Sequence, residues 1–428
     1  MKVLHVVRRY GPVGGMERYV WELTRELRRL GHEVEVLCEV CLAEKPNGHD
    51  RNAAPDDETC HARFPLPNPL TKPSPQSSDG TTSHSANPSK NDGQAAGYPA
   101  CGRGGERERP SSIPAGEGEN ESLREFHVSD IAVYELGKIA QRPRWLSLLR
   151  FGWRAARWLN AHPHPGWLIH SHERVNVHHV TTFHGPPFAS VFEKPFWRLL
   201  SIRVLMQLYL ERRELTKPLC IVPNSQTISK QLAHYYPQLA GKLAAPIVPG
   251  VQPGAVRAWR AVPASGGVIG FVGKEWQRKG LPLAVEIVAR LRRTRPELEL
   301  WVIGPQPEEV LHLFDSWQGG YHLLGWREQS CFAEFDVLLH PASAEPYGMV
   351  ISEAMAACVP VVISDVCGAA AQVTPDAGAI VPLDASVERW ADEVEEQLRR
   401  RDTPPKFVRG WNEVAREYET IYRQHLPA

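Results

Sequence analysis

Apolar runs of strand length alternate with amphipathic stretches from the beginning of the chain. Residues 3–7 and 34–38 are apolar runs, and residues 16–30 between them carry apolar side chains at helical spacing up to Gly31. The turn before this helix contains Gly14 and Gly15. We interpret the unit as a strand, a helix and a parallel strand, which is typical of the beginning of a doubly wound sheet.

The same pattern begins again after residues 246–267, a hinge-like segment rich in proline, glycine and alanine. Further strands are predicted at 268–272, 298–303, 322–324, 337–339 and 359–363, and helices at 281–293 and 408–424. The predicted fold class is therefore α/β, with two doubly wound, Rossmann-like domains that face each other across a cleft. We place the N-terminal domain at residues 1–250, the C-terminal domain at 251–407 and a final helix at 408–428.

Residues 42–122 interrupt this pattern, because they are crowded with Pro, Ser, Gly, Asn and Asp and carry few large apolar side chains. Such a segment cannot bury enough apolar surface to offset the entropy that is lost on ordering. We therefore predict a disordered insertion in the N-terminal domain. A species-specific insertion and an out-of-frame stretch both stay open as its origin.

The charges balance, with 49 Lys plus Arg against 49 Asp plus Glu, so no overall field attracts nucleic acid. The first residues are too charged for a signal peptide, and no apolar run approaches the ~20 residues that span a bilayer. We expect a cytoplasmic protein that binds no nucleic acid and does not cross a membrane. Peripheral binding to the inner face of the cytoplasmic membrane is compatible with these features.

Residues 138–164 are basic, rich in tryptophan and free of acidic residues. One interpretation is a helix that lies in the interface of an anionic membrane. The other is an ordinary surface helix whose tryptophans face the core. A lipid-borne acceptor favours the first interpretation.

Two glutamates accompany a predicted strand, turn and helix at residues 337–357. Glu345 lies in the turn and Glu353 about two helical turns later, while Gly348 comes just before the helix. Backbone N–H groups at the beginning of a helix receive anions, and carboxylates bind hydroxyl groups. A nucleotide-sugar suits this arrangement, although a metal or simple solvation would also explain two acids.

Other candidate ligand groups lie in loops that end predicted strands. Lys274 and Lys279 flank a turn where they suit a clamp on a diphosphate, but loop lysines are more often simply solvated. Gly14 and Gly15 either let a phosphate or sugar approach the backbone or merely permit a tight turn.

His170, His172 and His184 end two short predicted strands, at the sheet edge where an open α/β sheet binds ligands. His184, followed by Gly-Pro-Pro, is the best candidate for a hydrogen bond to a sugar or acceptor. We discount a zinc site because no carboxylate follows at the usual spacing and because we expect His170 and His172 to point to opposite faces of their strand. No metal or other cofactor is expected.

The motif E-P-Y-G-M-V-I-S-E-A-M-A at 345–356 lies between D-V-L-L-H-P and P-V-V-I-S-D-V. It resembles the E-x7-E signature of family 4 retaining glycosyltransferases of the GT-B fold. The segments F-H-G-P-P, F-V-G-K-E-W-Q-R-K-G-L and V-I-G-P fit the same family in the same order. The resemblance covers nearly everything outside residues 42–122.

The resemblance implies a nucleotide-sugar donor and a glycan or lipid-linked acceptor. It implies that Glu353 holds the ribose and that Glu345 and His184 lie against the transferred sugar. The groups it assigns to the diphosphate are Gly15, Lys274, Lys279 and the backbone N–H groups of Gly348, Met349 and Val350. The last helix would cross back to the N-terminal domain.

The sequence departs from the family pattern at three positions. Lys274 replaces the usual arginine, so the charge is kept but bidentate contact with a phosphate is lost. Cys358 stands where a glycine usually follows the E-x7-E helix, and Gln372 stands where an acid is common.

The predicted activity is retaining transfer of a sugar to a hydroxyl group, in lipopolysaccharide or surface polysaccharide synthesis, with Glu345, His184 and Lys279 as catalytic groups. Two alternatives stay open. A nucleotide-sugar epimerase of the same fold would turn over donor without an acceptor. A non-catalytic sugar-binding protein would bind donor without turnover.

Overall fold

The computed structural model describes residues 1–43, 124–128, 130–327 and 331–427. Of the predicted insertion at 42–122, only Leu42 and Ala43 lie within the described residues. The N–H group of Leu42 donates to the carbonyl oxygen of Tyr10, so the chain still pairs with the first strand at this point.

The N-terminal half forms a seven-stranded sheet. Its strands are β1 (Lys2–Tyr10), β2 (Glu33–Cys41), β3 (Arg124–Val128), β4 (Ile131–Glu135), β5 (Leu168–Ser171), β6 (Val180–Phe183) and β7 (Cys220–Pro223). Their order is β3-β4-β2-β1-β5-β6-β7, and every neighbouring pair is parallel except β3 and β4. The helices of this half are α1 (Met16–Arg29), α2 (Arg144–Ala161), α3 (Ile202–Thr216) and α4 (Gln226–Tyr235).

The C-terminal half forms a six-stranded parallel sheet in the order β10-β9-β8-β11-β12-β13. Its strands are β8 (Gly266–Val272), β9 (Glu297–Ile303), β10 (Tyr321–Gly325), β11 (Val337–His340), β12 (Val361–Ser364) and β13 (Gly378–Val381). The remaining helices are α5 (Leu281–Leu291), α6 (Pro307–Val310), α7 (Met349–Ala356), α8 (Val387–Leu398) and α9 (Trp411–Gln424).

Four short strands, two in each sheet, are buried along their whole length. All four residues of β6, β7, β11 and β12 are buried. In sequence, parallel strands that are buried on both faces tend to be continuous apolar runs. The loops that leave the carboxyl ends of these strands carry the polar candidates named above.

Helix α9 packs on the N-terminal half although it ends the chain. Trp411, Val414, Tyr418 and Tyr422 belong to the core cluster that also contains side chains of β1 and α1. The hydroxyl groups of Tyr418 and Tyr19 are 2.8 Å apart and hydrogen-bonded. The domain limits at 250 and 407 stay predictions.

Residues 188–216 form three helical pieces instead of one long helix. Two 3-10 turns, Phe188–Glu193 and Phe196–Leu200, precede α3. Pro187 and Pro195 stand directly before the two turns, and proline removes a donor and disfavours helical backbone in the preceding residue. The chain therefore takes up a regular helix only from Ile202.

Helix α2 supports the second interpretation of the basic segment, a surface helix that faces the core. Leu148, Phe151 and Trp158 are buried, and Trp158 packs on the ring of Tyr134. Trp153 is the exposed tryptophan of this helix, at 59% of its surface. Within the described residues, no helix is both long enough and apolar enough to span a membrane.

Candidate active site

The turn between β11 and α7 is held in place by main-chain contacts. The carbonyl oxygen of Glu345 accepts a hydrogen bond from the N–H group of Gly368, and Tyr347 accepts one from Ala369. Gly348 caps α7 with a φ of 95°, a left-handed conformation that glycine adopts at little cost. The first N–H groups of a helix have no acceptor within the helix, so this turn presents donors next to a buried carboxylate.

Glu345 is surrounded by cationic and donor side chains. Its Oε2 atom lies 2.7 Å from Lys279 Nζ, 3.6 Å from Arg278 Nη1 and 3.4 Å from His340 Nε2. Burial alone would raise the pKa of Glu345, but the hydrogen bond from His340 and the charge of Lys279 outweigh it and lower the pKa to about 2. Glu345 is therefore a carboxylate throughout the physiological range.

The two lysines predicted to bind a diphosphate lie in different surroundings. The side chain of Lys279 lies across Gly273, where a Cβ atom would collide with it, and is mostly buried. The side chain of Lys274 is exposed in the same loop. The structure thus brings Lys279 to Glu345 and leaves Lys274 at the rim of the loop.

Glu353 forms an ion pair with the N-terminal half. Its Oε1 atom lies 2.7 Å from Arg18 Nη1 on α1, and both side chains are largely buried. Burial raises the pKa of Glu353 although the charge of Arg18 opposes the shift. A second contact joins the halves nearby, where Ser225 Oγ donates to the carbonyl oxygen of Pro346 at 2.7 Å.

The two positions before α1 differ in whether the fold requires glycine there. Gly14 has a φ of 103°, and a Cβ atom there would also meet the carboxylate of Glu17. Gly15 has ordinary backbone angles, and a Cβ atom there would meet nothing within 4 Å. The fold therefore requires glycine at position 14 but leaves open space at position 15.

His184 ends a row of hydrogen-bonded histidines. Its Nε2 atom lies 2.9 Å from His172 Nδ1, and His172 Nε2 lies 3.1 Å from His5 Nδ1. Burial lowers the pKa of His5 and of His184 to about 3, and it lowers the pKa of His172 well below its usual value. All three rings are therefore neutral at pH 7, and His184 can act as a hydrogen-bond partner but not as a cation.

The expectation that His170 and His172 point to opposite faces was wrong. Side chains two residues apart in a strand share a face, and the two ring centroids lie 4.2 Å apart. His5, His170 and His172 therefore form a group whose ligand atoms lie within 4.8 Å of one another, as a metal site would need. However, His5 Nε2 is the one nitrogen of the three rings that lacks a hydrogen-bond partner among the described residues.

Two family models match the chain. A model described as "Glycosyl transferases group 1" matches residues 266–400, and a model described as "Glycosyltransferase Family 4" matches residues 13–78. The resemblance to family 4 glycosyltransferases is confirmed. The glycine turn before α1 lies in the second match, and Lys279, Glu345 and Glu353 lie in the first.

Two curated glycosyltransferases match part of the chain. Lipopolysaccharide glucosyltransferase WaaG of Escherichia coli K12 is 31% identical over 154 residues, which are 34% of this chain and 40% of WaaG. D-inositol 3-phosphate glycosyltransferase of Segniliparus rotundus is 26% identical over 194 residues, 41% of this chain and 43% of that protein. The chain thus spans less than half the length of these relatives.

Solved structures of glycosyltransferases match nearly the whole chain. The crystal structure of WaaG, a glycosyltransferase involved in lipopolysaccharide biosynthesis, has a TM-score of 0.65 at 16% identity, with 99% of this chain and 96% of WaaG covered. Sucrose-phosphate synthase from Thermosynechococcus elongatus has a TM-score of 0.64 at 16% identity, with 99% of both chains covered. This likeness establishes the GT-B fold.

The turn after α7 contains a residue with a left-handed backbone conformation. Cys358 is buried and has a φ of 56°, a left-handed conformation in which glycine is the favoured residue. Cys358, one of the three departures from the pattern of the resemblance, thus adopts this conformation at some cost in strain.

Three neighbours of the candidate residues were not predicted from the sequence. Arg18 pairs with Glu353, and Arg278 and His340 face Glu345. Arg278 stands next to Lys279 in the quoted loop, and His340 ends the predicted strand, so both carried a weak signal. Arg18 is 335 residues from its partner, and nothing in the sequence joins the two.

Proposed function

We propose that the protein transfers a sugar from a nucleotide-sugar to a hydroxyl group of a glycan or lipid-linked acceptor, with retention of anomeric configuration. The observation that carries this proposal is the cluster at the carboxyl end of β11. There the carboxylate of Glu345 lies against Lys279 and Arg278, at the N-terminus of the helix that holds Glu353.

The diphosphate of the donor is assigned to the cations and the beginning of α7. Lys279, with Lys274 at the rim, would neutralise the phosphates, and the N–H groups of Gly348, Met349 and Val350 would donate to their oxygens. Glu353 would then exchange its contact with Arg18 for the ribose hydroxyl groups. We propose that these cations serve in place of a metal ion, so that no cofactor is needed.

The reaction breaks the bond between the anomeric carbon and the phosphate oxygen. Negative charge then grows on the departing nucleoside diphosphate, and the fixed cations and N–H dipoles would stabilise that charge without reorganising. The acceptor oxygen bonds to the anomeric carbon, and its proton passes to an oxygen of the departing diphosphate. Glu345 and the neutral ring of His184 would lie against the sugar and orient it.

The acceptor and the place of action are also proposals. The WaaG protein that matches this chain acts in lipopolysaccharide biosynthesis, which supports a surface glycan or its lipid-linked precursor as acceptor. We propose that the enzyme works in the cytoplasm, on the inner face of the cytoplasmic membrane.

A nucleotide-sugar screen tests this function. Thermal shift with a panel of UDP-, ADP- and GDP-sugars should identify a donor that raises the melting temperature. With that donor, release of nucleoside diphosphate should require an acceptor, and labelled sugar should appear on the acceptor. Conversion of donor to an isomer without acceptor would show the epimerase, and binding without turnover across all acceptors would show a sugar-binding protein.

Gly15→Ala should weaken donor binding about tenfold, or ~1.4 kcal/mol, without changing the melting temperature of the free protein. The added methyl group meets nothing in the protein but would occupy the space assigned to the diphosphate. Titration calorimetry with the donor measures the effect. Gly241→Ala is the matched control, since a Cβ atom there also meets nothing within 4 Å; equal affinity in both variants would remove Gly15 from the donor site.

A further inference from the structure

Seven large apolar side chains are exposed within a short stretch of the N-terminal half. They are Phe192, Phe196, Trp197, Leu200, Ile202, Leu205 and Tyr209, each at least half exposed. We call them the 192–209 surface. Single exposed apolar residues are ordinary on a soluble protein, but a contiguous group marks a binding surface for a protein or a membrane.

Helix α3 turns its apolar side outward. Ile202, Leu205 and Tyr209 repeat at intervals of three and four residues and are exposed, so they form one stripe along the helix. The buried side carries Gln207, Glu211 and Glu214 together with Leu210 and Leu215. The helix therefore packs on the core with a mixed polar and apolar side and exposes a second, apolar stripe to solvent.

The 3-10 turn before α3 continues this outward apolar face. The turn Phe196–Leu200 buries none of its residues, and Leu200 is 78% exposed. The rings of Phe196 and Trp197 pack edge to face, with centroids 5.7 Å apart. Aromatic side chains of this kind are enriched where a protein meets the headgroup layer of a bilayer.

Cations are interleaved with these apolar side chains. Lys194, Arg198 and Arg203 are all exposed within the stretch. Glu193 is the acidic residue of the stretch, and its carboxylate accepts a hydrogen bond from the hydroxyl group of Tyr235. The surface is therefore apolar with a net positive charge, which complements a bilayer that contains anionic lipids rather than an apolar protein face.

The surface is anchored next to the candidate site. Buried Glu211 of α3 accepts hydrogen bonds from the N–H groups of Phe188 and Ala189 and pairs with Arg174 at 3.0 Å. His184 precedes Phe188 by four residues, so the chain passes directly from the candidate sugar-contacting loop to the exposed stretch.

We propose that the 192–209 surface lies in the interface of a bilayer containing anionic lipids and so brings a lipid-borne acceptor to His184. The binding of the bilayer is independent of the reaction; the delivery of the acceptor rests on the proposed function. Helix α2, which the sequence analysis gave as one of two interpretations for a membrane contact, exposes Trp153 but packs its other large apolar residues inward.

Sedimentation with lipid vesicles tests the proposal on the full chain, without donor or acceptor. Wild type should bind vesicles of phosphatidylglycerol and phosphatidylcholine more tightly than pure phosphatidylcholine, and added salt should weaken the binding. The variant Phe196→Ser/Trp197→Ser/Leu200→Ser should lower the partition coefficient at least tenfold. All three side chains are exposed, so an unchanged melting temperature is expected and is checked first.

Two further variants test the contribution of the cations and the specificity of the surface. Arg198→Glu/Arg203→Glu should remove the preference for anionic vesicles, whereas the control Trp153→Ser should bind as wild type does. The proposal is overturned if wild type ignores anionic vesicles, if the triple serine variant binds unchanged, or if Trp153→Ser loses as much binding. A wild-type dimer in sedimentation velocity that the triple variant abolishes would overturn it too, by assigning the surface to a second copy.

Failure of the proposed function would be visible separately. If vesicles bind as expected but no sugar is transferred to a lipid-borne or a water-soluble acceptor, the membrane surface stands and the glycosyltransferase proposal fails. If a water-soluble acceptor is glycosylated and vesicles do not bind, the glycosyltransferase proposal stands and the membrane proposal fails.

Discussion

Replacing Lys279 with alanine is expected to lower the rate of sugar transfer about 100-fold or more. Lys279 is the cation nearest to Glu345, at 2.7 Å, and removing one fixed group that stabilises transition-state charge typically costs this much. The effect should fall mainly on kcat, because the charge on the leaving diphosphate develops in the transition state. Steady-state release of nucleoside diphosphate measures it, and near-normal turnover would contradict the assignment.

Stability measurements separate this loss from misfolding. Lys279→Ala leaves the buried carboxylate of Glu345 without its closest cation, at a cost of about 2 kcal/mol, since Arg278 remains at 3.6 Å. The double variant Lys279→Ala/Glu345→Gln should recover most of that stability but none of the activity. Lys274→Ala is the matched control, because that lysine is exposed in the free protein, and it should raise KM more than it lowers kcat.

Acid should destabilise the N-terminal half already between pH 6.5 and 5.5, above the range in which ordinary carboxyl groups titrate. Burial lowers the pKa of His5 and His184 to about 3 and that of His170 and His172 well below 6.5. The unfolded chain takes up these protons near pH 6.5 while the folded chain does not, so stability is lost as the pH falls below 6.5. Between pH 6.5 and 5.5 the four rings together lower the free energy of unfolding by about 4 kcal/mol.

Two buried acids oppose this loss. Burial raises the pKa of Glu173 to about 7 and that of Glu214 to about 8, so the folded state binds protons more tightly there in the same pH range. They return about 2 kcal/mol, which is less than the histidines cost, and burial also lowers the pKa of His178 to about 4, so the net change is a loss of stability. Glu345, with a pKa of about 2, contributes only when the pH falls below 4.5.

Urea unfolding at pH 7.5, 6.5 and 5.5 checks the sign and the size of this change in the free energy of unfolding. His5→Asn keeps a hydrogen-bonding group where His5 Nδ1 contacts His172 but removes one titrating ring. Its free energy of unfolding should therefore fall by about 1 kcal/mol less than that of wild type between pH 6.5 and 5.5. His234→Asn, at an exposed position, should follow wild type. Stability that is constant or rises toward pH 5.5 in wild type would show that the histidines are not buried and neutral as described.

The sequence predicted the parts of the fold that local patterns control. The runs at 337–339 and 359–363 correspond to β11 and β12, because strands buried on both faces are apolar at every position. Ser225 caps α4 through a hydrogen bond from Ile228, as expected from its residue type. Helix α8 was not predicted, although its apolar face recurs at helical spacing, and the strand β3 lies beside the segment interpreted as disordered.

The sequence could not predict the contacts that define the candidate site. The pairing of Arg18 with Glu353 depends on how α1 and α7 meet, and the row of His5, His172 and His184 depends on the order β1-β5-β6 in the sheet. The contacts of Arg18 with Glu353 and of His5 with His172 join residues more than 100 positions apart and leave no local pattern. The sequence also did not predict that apolar residues of α3 face solvent, because periodicity indicates an apolar face but not whether it faces the core or the solvent.

The configuration of the transferred sugar is the most direct test of the central proposal. Wild-type protein is incubated with the identified nucleotide-sugar, carrying a ¹³C label at the anomeric carbon, and with a glycan acceptor, and the product is followed by mass spectrometry and NMR. We predict an acceptor heavier by one sugar residue, with an anomeric signal of the same configuration as the donor and with a signal about 100-fold weaker for Lys279→Ala. An inverted configuration, or an acceptor of unchanged mass beside a consumed donor, would contradict the proposal.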